Sequence, residues 1–252
     1  MSLNKQISDW LKNYLTNNKL NCFVVGISGG VDSALTSTLC ALTGIKTIVL
    51  SLPILQNEVQ LSRANNHIKW LKENFNNVES YEYDLTETFK TFEILFHIKN
   101  DLALANSRSR LRMTALYQIA STYSGIVVGT GNKVEDFGIG FFTKYGDGGV
   151  DISPIADLKK SDVFAMAKEV GVIEEILIAK PTDGLWDDNR NDEDQIGATY
   201  DELERIMDYS GPIGLLTERE LEVYNIYHKL NKQNKHKMKQ IPIFKKHEIH
   251  TS

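Results

Sequence analysis

Apolar positions along the chain recur at two spacings, and the spacing changes at glycines and prolines. Residues 1–10 place their apolar positions as an amphipathic helix does, and 22–27 form a short apolar run that reads as a strand. A turn of small residues, 28–33, then gives way to a helix-like stretch over 34–42. The β-branched run 46–53 ends on proline, and 57–77 returns to helical spacing. Two further short strands, 80–84 and 125–129, are separated by helical stretches; helices follow near 160–170, 199–209 and 217–231, with 183–194 loosely organised. Strands alternating with helices predict an α/β fold: a doubly wound parallel sheet flanked by helices, with a small C-terminal helical part, in one domain over 1–252. In such sheets ligands sit at the carboxyl ends of the strands. Here those ends carry 28–33, Leu52-Pro53, Asp84 and 129–133, so the topology nominates one shared site.

The first of these ends is the most specific. Ser28-Gly29-Gly30-Val31-Asp32-Ser33 lies between a strand and a helix start, where free backbone N–H groups and the positive helix end form an anion cradle. Glycines let the backbone close on phosphate oxygens, and the hydroxyls add donors. A carboxylate in such a loop repels phosphate unless a divalent cation lies between them, so Asp32 predicts Mg2+. No Gly-Lys-Ser/Thr follows and a third glycine is missing, which disfavours both the Walker A loop and the dinucleotide fingerprint. The plainer reading is a glycine turn that binds nothing. Glu135, just after the fourth strand, can reach the same sheet end and would share the metal; read alone, it is a solvated glutamate beside Asp136. The segment 131–154 shows no clear period, has glycines at 138, 140, 146, 148 and 149, and carries Lys144, Asp147 and Asp151, as a substrate loop would. Lys160 adds a cation before a helix. Arg108 and Arg112 are one helical turn apart, so at least one should face a fixed anion, a buried carboxylate or a ligand phosphate, while Arg110 points elsewhere.

With 252 residues and 42% hydrophobic content, the chain can build one large core without staples. Cys22 and Cys40 form no CxxC pair, so neither a disulfide framework nor a zinc site is expected, and a reducing, cytoplasmic setting is. The N-terminus does not read as a signal peptide and no 18-residue apolar run occurs, which predicts no membrane association. A net charge of −5 argues against a general nucleic-acid binder. The charge is uneven: 229–246 holds seven lysines and no acid, whereas 183–204 holds nine acids and one arginine. Such blocks are solvated faces or tails, or here a basic flap over phosphates.

SGGVDS resembles the signature loop of the N-type ATP pyrophosphatases, which split ATP between its α and β phosphates. Together with NSRSRLRM, GTGNKVE, GFFTKYGDGGVDISP, KPTDGLW, DEDQIGATYDEL and NKHK, in family order over nearly the whole chain, it is similar to the ammonia-dependent NAD+ synthetases. The resemblance implies that ATP and Mg2+ adenylate the nicotinate carboxylate of deamido-NAD+, and that ammonia then displaces AMP. It implies that Gly26, Ile27, Ser28, Gly29, Gly30, Val31, Asp32 and Ser33 hold the ATP phosphates and that Asp32 and Glu135 bind the metal. Thr130, Lys160 and Thr182 would contact ATP; Arg110, Lys144, Asp151, His236 and Lys237 would contact deamido-NAD+ or cover the reacting phosphates. Asp147 would handle the ammonium proton, with Lys160 as its catalytic companion, and the family implies a homodimer. Two departures stand out. Gln195 occupies a position where an acid is often found, and one extra residue separates Glu135 from GFFTKYGD, so Asp136 competes with Glu135 for the metal.

The rivals are other ATP pyrophosphatases. A tRNA-thiolating enzyme wants a reactive cysteine near the site, whereas Cys40 falls mid-helix among apolar residues and Cys22 opens a strand. GMP synthesis brings a dimerisation domain, and glutamine-dependent forms need a glutaminase region with a nucleophilic cysteine, so free ammonia is the expected nitrogen source. A nucleotide sensor without turnover would not need both metal carboxylates together with Lys144, Asp147 and Lys160.

Overall fold

The short apolar runs pair side by side as a parallel sheet. The computed structural model describes residues 1–97, 100–179 and 191–246. Strands β1 (Phe23–Gly26), β2 (Thr47–Ser51), β3 (Val78–Glu82) and β4 (Ile126–Val127) stand in the order β3-β2-β1-β4, every pairing parallel. Phe23 lies opposite both Thr47 and Ile126, so β1 is central. Successive strand residues point to opposite faces, and both faces are apolar because both are covered. Phe23 and Val25 face a core built with α1 (Leu3–Asn17), α2 (Val31–Leu42) and α3 (Glu58–Asn74). Cys22, Val24, Ile48 and Leu50 face the other side. There, after α4 (Thr86–Glu93), α5 (Asp101–Thr122) lays Leu116, Ile119 and Ala120 on the sheet.

Beyond β4 the chain is helical. A π-helix (Lys133–Ile139) leads through a glycine-rich loop to α6 (Lys160–Glu169), which packs on α2, and to the short α7 (Glu174–Leu177). Helices α8 (Asp192–Ile196), α9 (Tyr200–Met207) and α10 (Glu218–Met238) bury Ile196, Leu203, Ile206 and Val223 against Val134 and Ile139 of the π-helix. This separate core is the expected small helical part.

Several boundaries differ from the periodicity. Helix α1 runs on to Asn17, and β3 begins at Val78, two residues before the expected 80. The segment 133–139, expected to be aperiodic, is helical with the wider π spacing, which the usual 3.6-residue template does not match. Helix α10 continues through the lysine block to Met238 with Lys229, Lys232 and Lys235 exposed, so of the solvated face, tail and flap the first is what this stretch forms. Its extension is held by polar contacts: Asn231 Nδ2 donates to the Gly138 carbonyl at 2.7 Å and Asn234 Nδ2 to that of Ile139 at 2.9 Å. Apolar periodicity is blind to such a seam. Of the segment 183–194, residues 183–190 lie outside the described residues, and its end enters α8. Among the described residues no helix is long and apolar enough to cross a membrane.

One histidine ties α3 to α2 inside the first core. His67 is fully buried, with Nε2 3.0 Å from Ser37 Oγ and its ring stacked on Trp70. Burial pushes its pKa down from 6.5 to about 4, so below pH 6.5 the unfolded chain takes up a proton that the fold refuses. Unfolding free energy should therefore fall between pH 7 and pH 5 by about 2 kcal/mol more in the wild type than in His67→Gln. Urea denaturation at both pH values checks this, and equal losses in the two proteins would remove His67 as the cause.

Candidate active site

Strand β1 runs into residues that the backbone geometry makes specific. Gly29 has φ +84°, and a β-carbon there would stand 2.6 Å from the Gln60 carbonyl oxygen of α3, so only glycine lets the loop seat on that helix. Gly30 caps α2 with extended backbone and no side-chain acceptor, which leaves the helix's first N–H groups open. The two serine hydroxyls stay within the loop: Ser28 Oγ accepts from the Gly30 N–H at 3.2 Å, and Ser33 Oγ accepts from the Ser28 N–H at 3.2 Å and donates to the Gly30 carbonyl. All residues from Gly26 to Ser33 line a cavity of about 480 Å3. It opens at the carboxyl ends of β1, β2 and β4, beside the switch point of the strand order.

On the β4 side a buried charge cluster closes the cavity. Asp32 sits in the first turn of α2, Glu135 in the π-helix and Lys160 at the start of α6. The Lys160 ammonium, 3% exposed, lies 2.6 Å from Asp32 Oδ2 and 2.8 Å from Glu135 Oε1. Asn132 orients both acids: its Nδ2 donates to Asp32 Oδ1 at 3.0 Å, while its Oδ1 accepts from the Val134 and Glu135 N–H groups at 3.1 Å and caps the π-helix. Tyr200 of α9 donates its hydroxyl to Glu135 Oε1, lies 3.3 Å from Asp192 Oδ2, and places its ring 4.9 Å below the Lys160 ammonium. Burial raises the Asp32 carboxyl above its ordinary range, with Lys160 opposing. At Glu135 burial is outweighed by Lys160 and by hydrogen bonds from Tyr200 and Asn132, so its carboxyl sits below the usual value. Burial works against the Lys160 charge, but the two carboxylates hold its pKa above normal.

Both Glu135 and Asp136, within the π-helix, line the cavity. Glu135 is the one that meets Lys160 opposite Asp32. Burial, followed by Asp147 and Glu135, lifts the Asp136 carboxyl well above its ordinary value.

A family model described as NAD synthase matches residues 3–249. The chain belongs to the NAD synthase family. A curated NH3-dependent NAD+ synthetase from Finegoldia magna is 35% identical over 238 residues, covering 93% of this chain and 92% of that protein. The structure of an NMN synthetase from Francisella tularensis aligns with a TM-score of 0.84 at 33% identity, over 96% of each chain. An NH3-dependent NAD synthetase from Campylobacter jejuni shares the fold, with a TM-score of 0.79 at 22% identity over 96% of this chain and 97% of that one. The family is one of ligases.

The other residues expected from the NAD synthase resemblance fall into two groups. Thr130, Asp147, Lys237 and Gln195 line the cavity. Asp147 Oδ1 accepts from the Ser109 hydroxyl at 2.6 Å and the Thr143 N–H at 3.0 Å, which pins the glycine-rich loop to α5. Burial raises its carboxyl. Arg110, Lys144 and His236 stand outside the cavity wall, in a chain of contacts: Arg110 Nε donates to the Lys144 carbonyl at 3.2 Å and Lys144 Nζ to the His236 carbonyl at 3.3 Å. Asp151 is also outside, its carboxylate taken by the Tyr117 hydroxyl at 2.9 Å and the Val127 N–H at 2.8 Å. Thr182 lies outside the described residues.

Sequence reasoning missed Asn132, Ser109 and Tyr200, each a partner of a residue it had found, and Asp192, which accepts from the Tyr200 hydroxyl. Asp192 lines the cavity one turn before Gln195, so a carboxylate stands on that helix although position 195 is an amide. Arg112 meets neutral oxygens where a fixed anion was one expectation: Nε donates to the Leu52 carbonyl and Nη2 to Gln56 Oε1, both at 2.9 Å. Burial, then Arg108, pushes its pKa down to about 10.

Replacing Lys160 with methionine leaves two buried carboxylates facing each other without a cation, which should cost about 3–5 kcal/mol. Millimolar Mg2+ should restore part of the lost melting temperature in Lys160→Met and do less for the wild type, read by thermal unfolding with and without the metal. No recovery would mean that the pair does not form a divalent-cation site.

Proposed function

We propose that this chain is an ammonia-dependent ligase that amidates deamido-NAD+ to NAD+ at the expense of ATP. A nicotinate carboxylate oxygen attacks the α-phosphorus and the bond to the β-phosphate breaks, releasing pyrophosphate. Ammonia then adds to the acyl carbon, the bond to AMP breaks, and one proton is lost. The observation that carries this reading is the convergence of Asp32 and Glu135, from separate elements, on one buried cation beside the glycine loop.

The donor set fits Mg2+. Among the described residues the cavity wall carries five carboxyl groups, Asp32, Glu135, Asp136, Asp147 and Asp192, against four cations, Arg63, Arg112, Lys160 and Lys237, so a triphosphate there needs added positive charge. Asp32 and Glu135 would hold the metal, which would neutralise charge growing on the departing pyrophosphate. Lys160, kept protonated by the same two acids, supplies a fixed cation to the phosphates. The open N–H groups at the start of α2 bind phosphate oxygens. Asp147 has Oδ1 committed to Ser109 and Thr143, which leaves Oδ2 to attract ammonium and accept its proton. Lys237, donating to the Phe142 carbonyl at 2.7 Å, closes the wall beside it. Arg110 and Lys144 form an outer cationic patch for the dinucleotide, with the His236 backbone carbonyl holding the Lys144 ammonium. Burial holds both cysteine thiols protonated, so neither is a thiolate nucleophile for glutamine. We include a homodimer, for which the exposed Phe92 at the end of α4 and Ile94, Leu95 and Phe96 after it offer an apolar surface.

A second reading concerns the acceptor. The relative from Francisella tularensis is named for a mononucleotide amide, at 33% identity and a TM-score of 0.84. The test is an end-point assay with ATP, Mg2+ and ammonium chloride or glutamine, offering deamido-NAD+ or nicotinate mononucleotide. NAD+ formed in step with AMP, from ammonium and not glutamine, is the expected result; amide formed only from the mononucleotide would select the second reading. Asp32→Asn should lower turnover about a hundredfold or more; it keeps the side-chain volume and leaves Glu135 facing Lys160, but the amide can accept from only one of Asn132 and Lys160, so the melting temperature should fall by several degrees without loss of the fold. Full activity in that variant would remove Asp32 from the metal site.

A further inference from the structure

Among the described residues the four cations of the cavity wall differ in how they are held. Lys160 is paired with Asp32 and Glu135, Arg112 donates to Leu52 and Gln56, and Lys237 donates to the Phe142 carbonyl. Arg63, on α3, lines the same cavity with its Nε buried and without any hydrogen-bond acceptor. A buried guanidinium N–H without an acceptor carries the full cost of its lost hydration, a cost that is removed when the side chain turns its fork toward an anion in the cavity.

The place of Arg63 says which ligand. Its Cβ lies 3.4 Å from where a β-carbon on Gly29 would stand, and the Gln60 carbonyl and Ala64 N–H of the same helical turn crowd that point at 2.6 and 3.2 Å. This turn of α3 therefore rests directly on the middle of the glycine loop. It approaches the loop from the β2 side, while the Asp32, Glu135 and Lys160 cluster borders it from the β4 side. A phosphate chain lying along the loop would have the cluster on one flank and Arg63 on the other. The planar fork of a guanidinium matches two non-bridging phosphate oxygens, and its charge is not spent on a protein carboxylate at Nε.

We infer that Arg63 binds the terminal phosphates of the nucleotide and holds pyrophosphate as it leaves. This rests on ATP being the substrate. The test measures dissociation constants by calorimetry for Mg-ATP, Mg-pyrophosphate and AMP with wild type, Arg63→Ala and Arg63→Lys, alongside melting temperatures. In Arg63→Ala, ATP and pyrophosphate should bind about tenfold more weakly with AMP unchanged, and Arg63→Lys should recover part of the loss. Unchanged pyrophosphate binding, or an equal loss for AMP, overturns the assignment. A wild type that binds no Mg-ATP overturns the functional reading itself, whereas wild-type binding with an indifferent Arg63→Ala overturns the role of Arg63 alone.

Discussion

Lys160 brings its ammonium to within 2.6 and 2.8 Å of Asp32 and Glu135 in a place nearly closed to water, and none of the three charges could remain there alone. That mutual dependence fixes α2, the π-helix and α6 against one another at a single point. Asn132 and Tyr200 extend it, one capping the π-helix while holding Asp32, the other reaching from the second core to Glu135. The small helical part is thus coupled to the sheet through polar groups at the cavity and not only through its own apolar packing. A cluster of this kind contributes little net stability compared with an apolar core of equal volume. Its value lies in arranging two carboxylates around one cation before any substrate arrives.

Around this point the walls are built from short-range rules. Gly29 takes a backbone conformation that other residues adopt at a cost, and its missing side chain is what allows α3 to approach. The hydroxyls of Ser28 and Ser33 occupy loop amides that an anion would otherwise claim, so the loop keeps its shape through internal bonds. On the far wall, Ser109 and Asp147 exchange hydrogen bonds in both directions, which locks the glycine-rich loop to α5. Along α10, Asn231, Asn234 and Lys237 each donate to a carbonyl of 138–142, one turn apart. A lysine-rich stretch becomes an ordered wall because its helix offers donors at the spacing of carbonyls left open at the end of the π-helix.

The sequence by itself determined the architecture and the place of the glycine loop at the end of β1. Alternating strand and helix periods, with glycines and a proline at their borders, are local signals, and they led to the parallel sheet and to the strand end on which the cavity opens. Asp32 and Glu135 were legible for the same reason: each lies in the segment that leaves the carboxyl end of a strand. What only the tertiary structure decided is how distant groups share one point. The partners of those acids come from 132, 160 and 200, and no local period links them. The order β3-β2-β1-β4 places α2 beside the residues after β4, and from that follow the pairing of Glu135 with Lys160, the committed state of Arg112, and the placing of Arg110, Lys144 and His236 on an outer surface. The π turn was likewise illegible, since it is a wider helix whose period the usual templates do not contain. Hydrogen bonds and ion pairs have no periodicity along the chain, so a sequence can name their members while the fold alone chooses the partners.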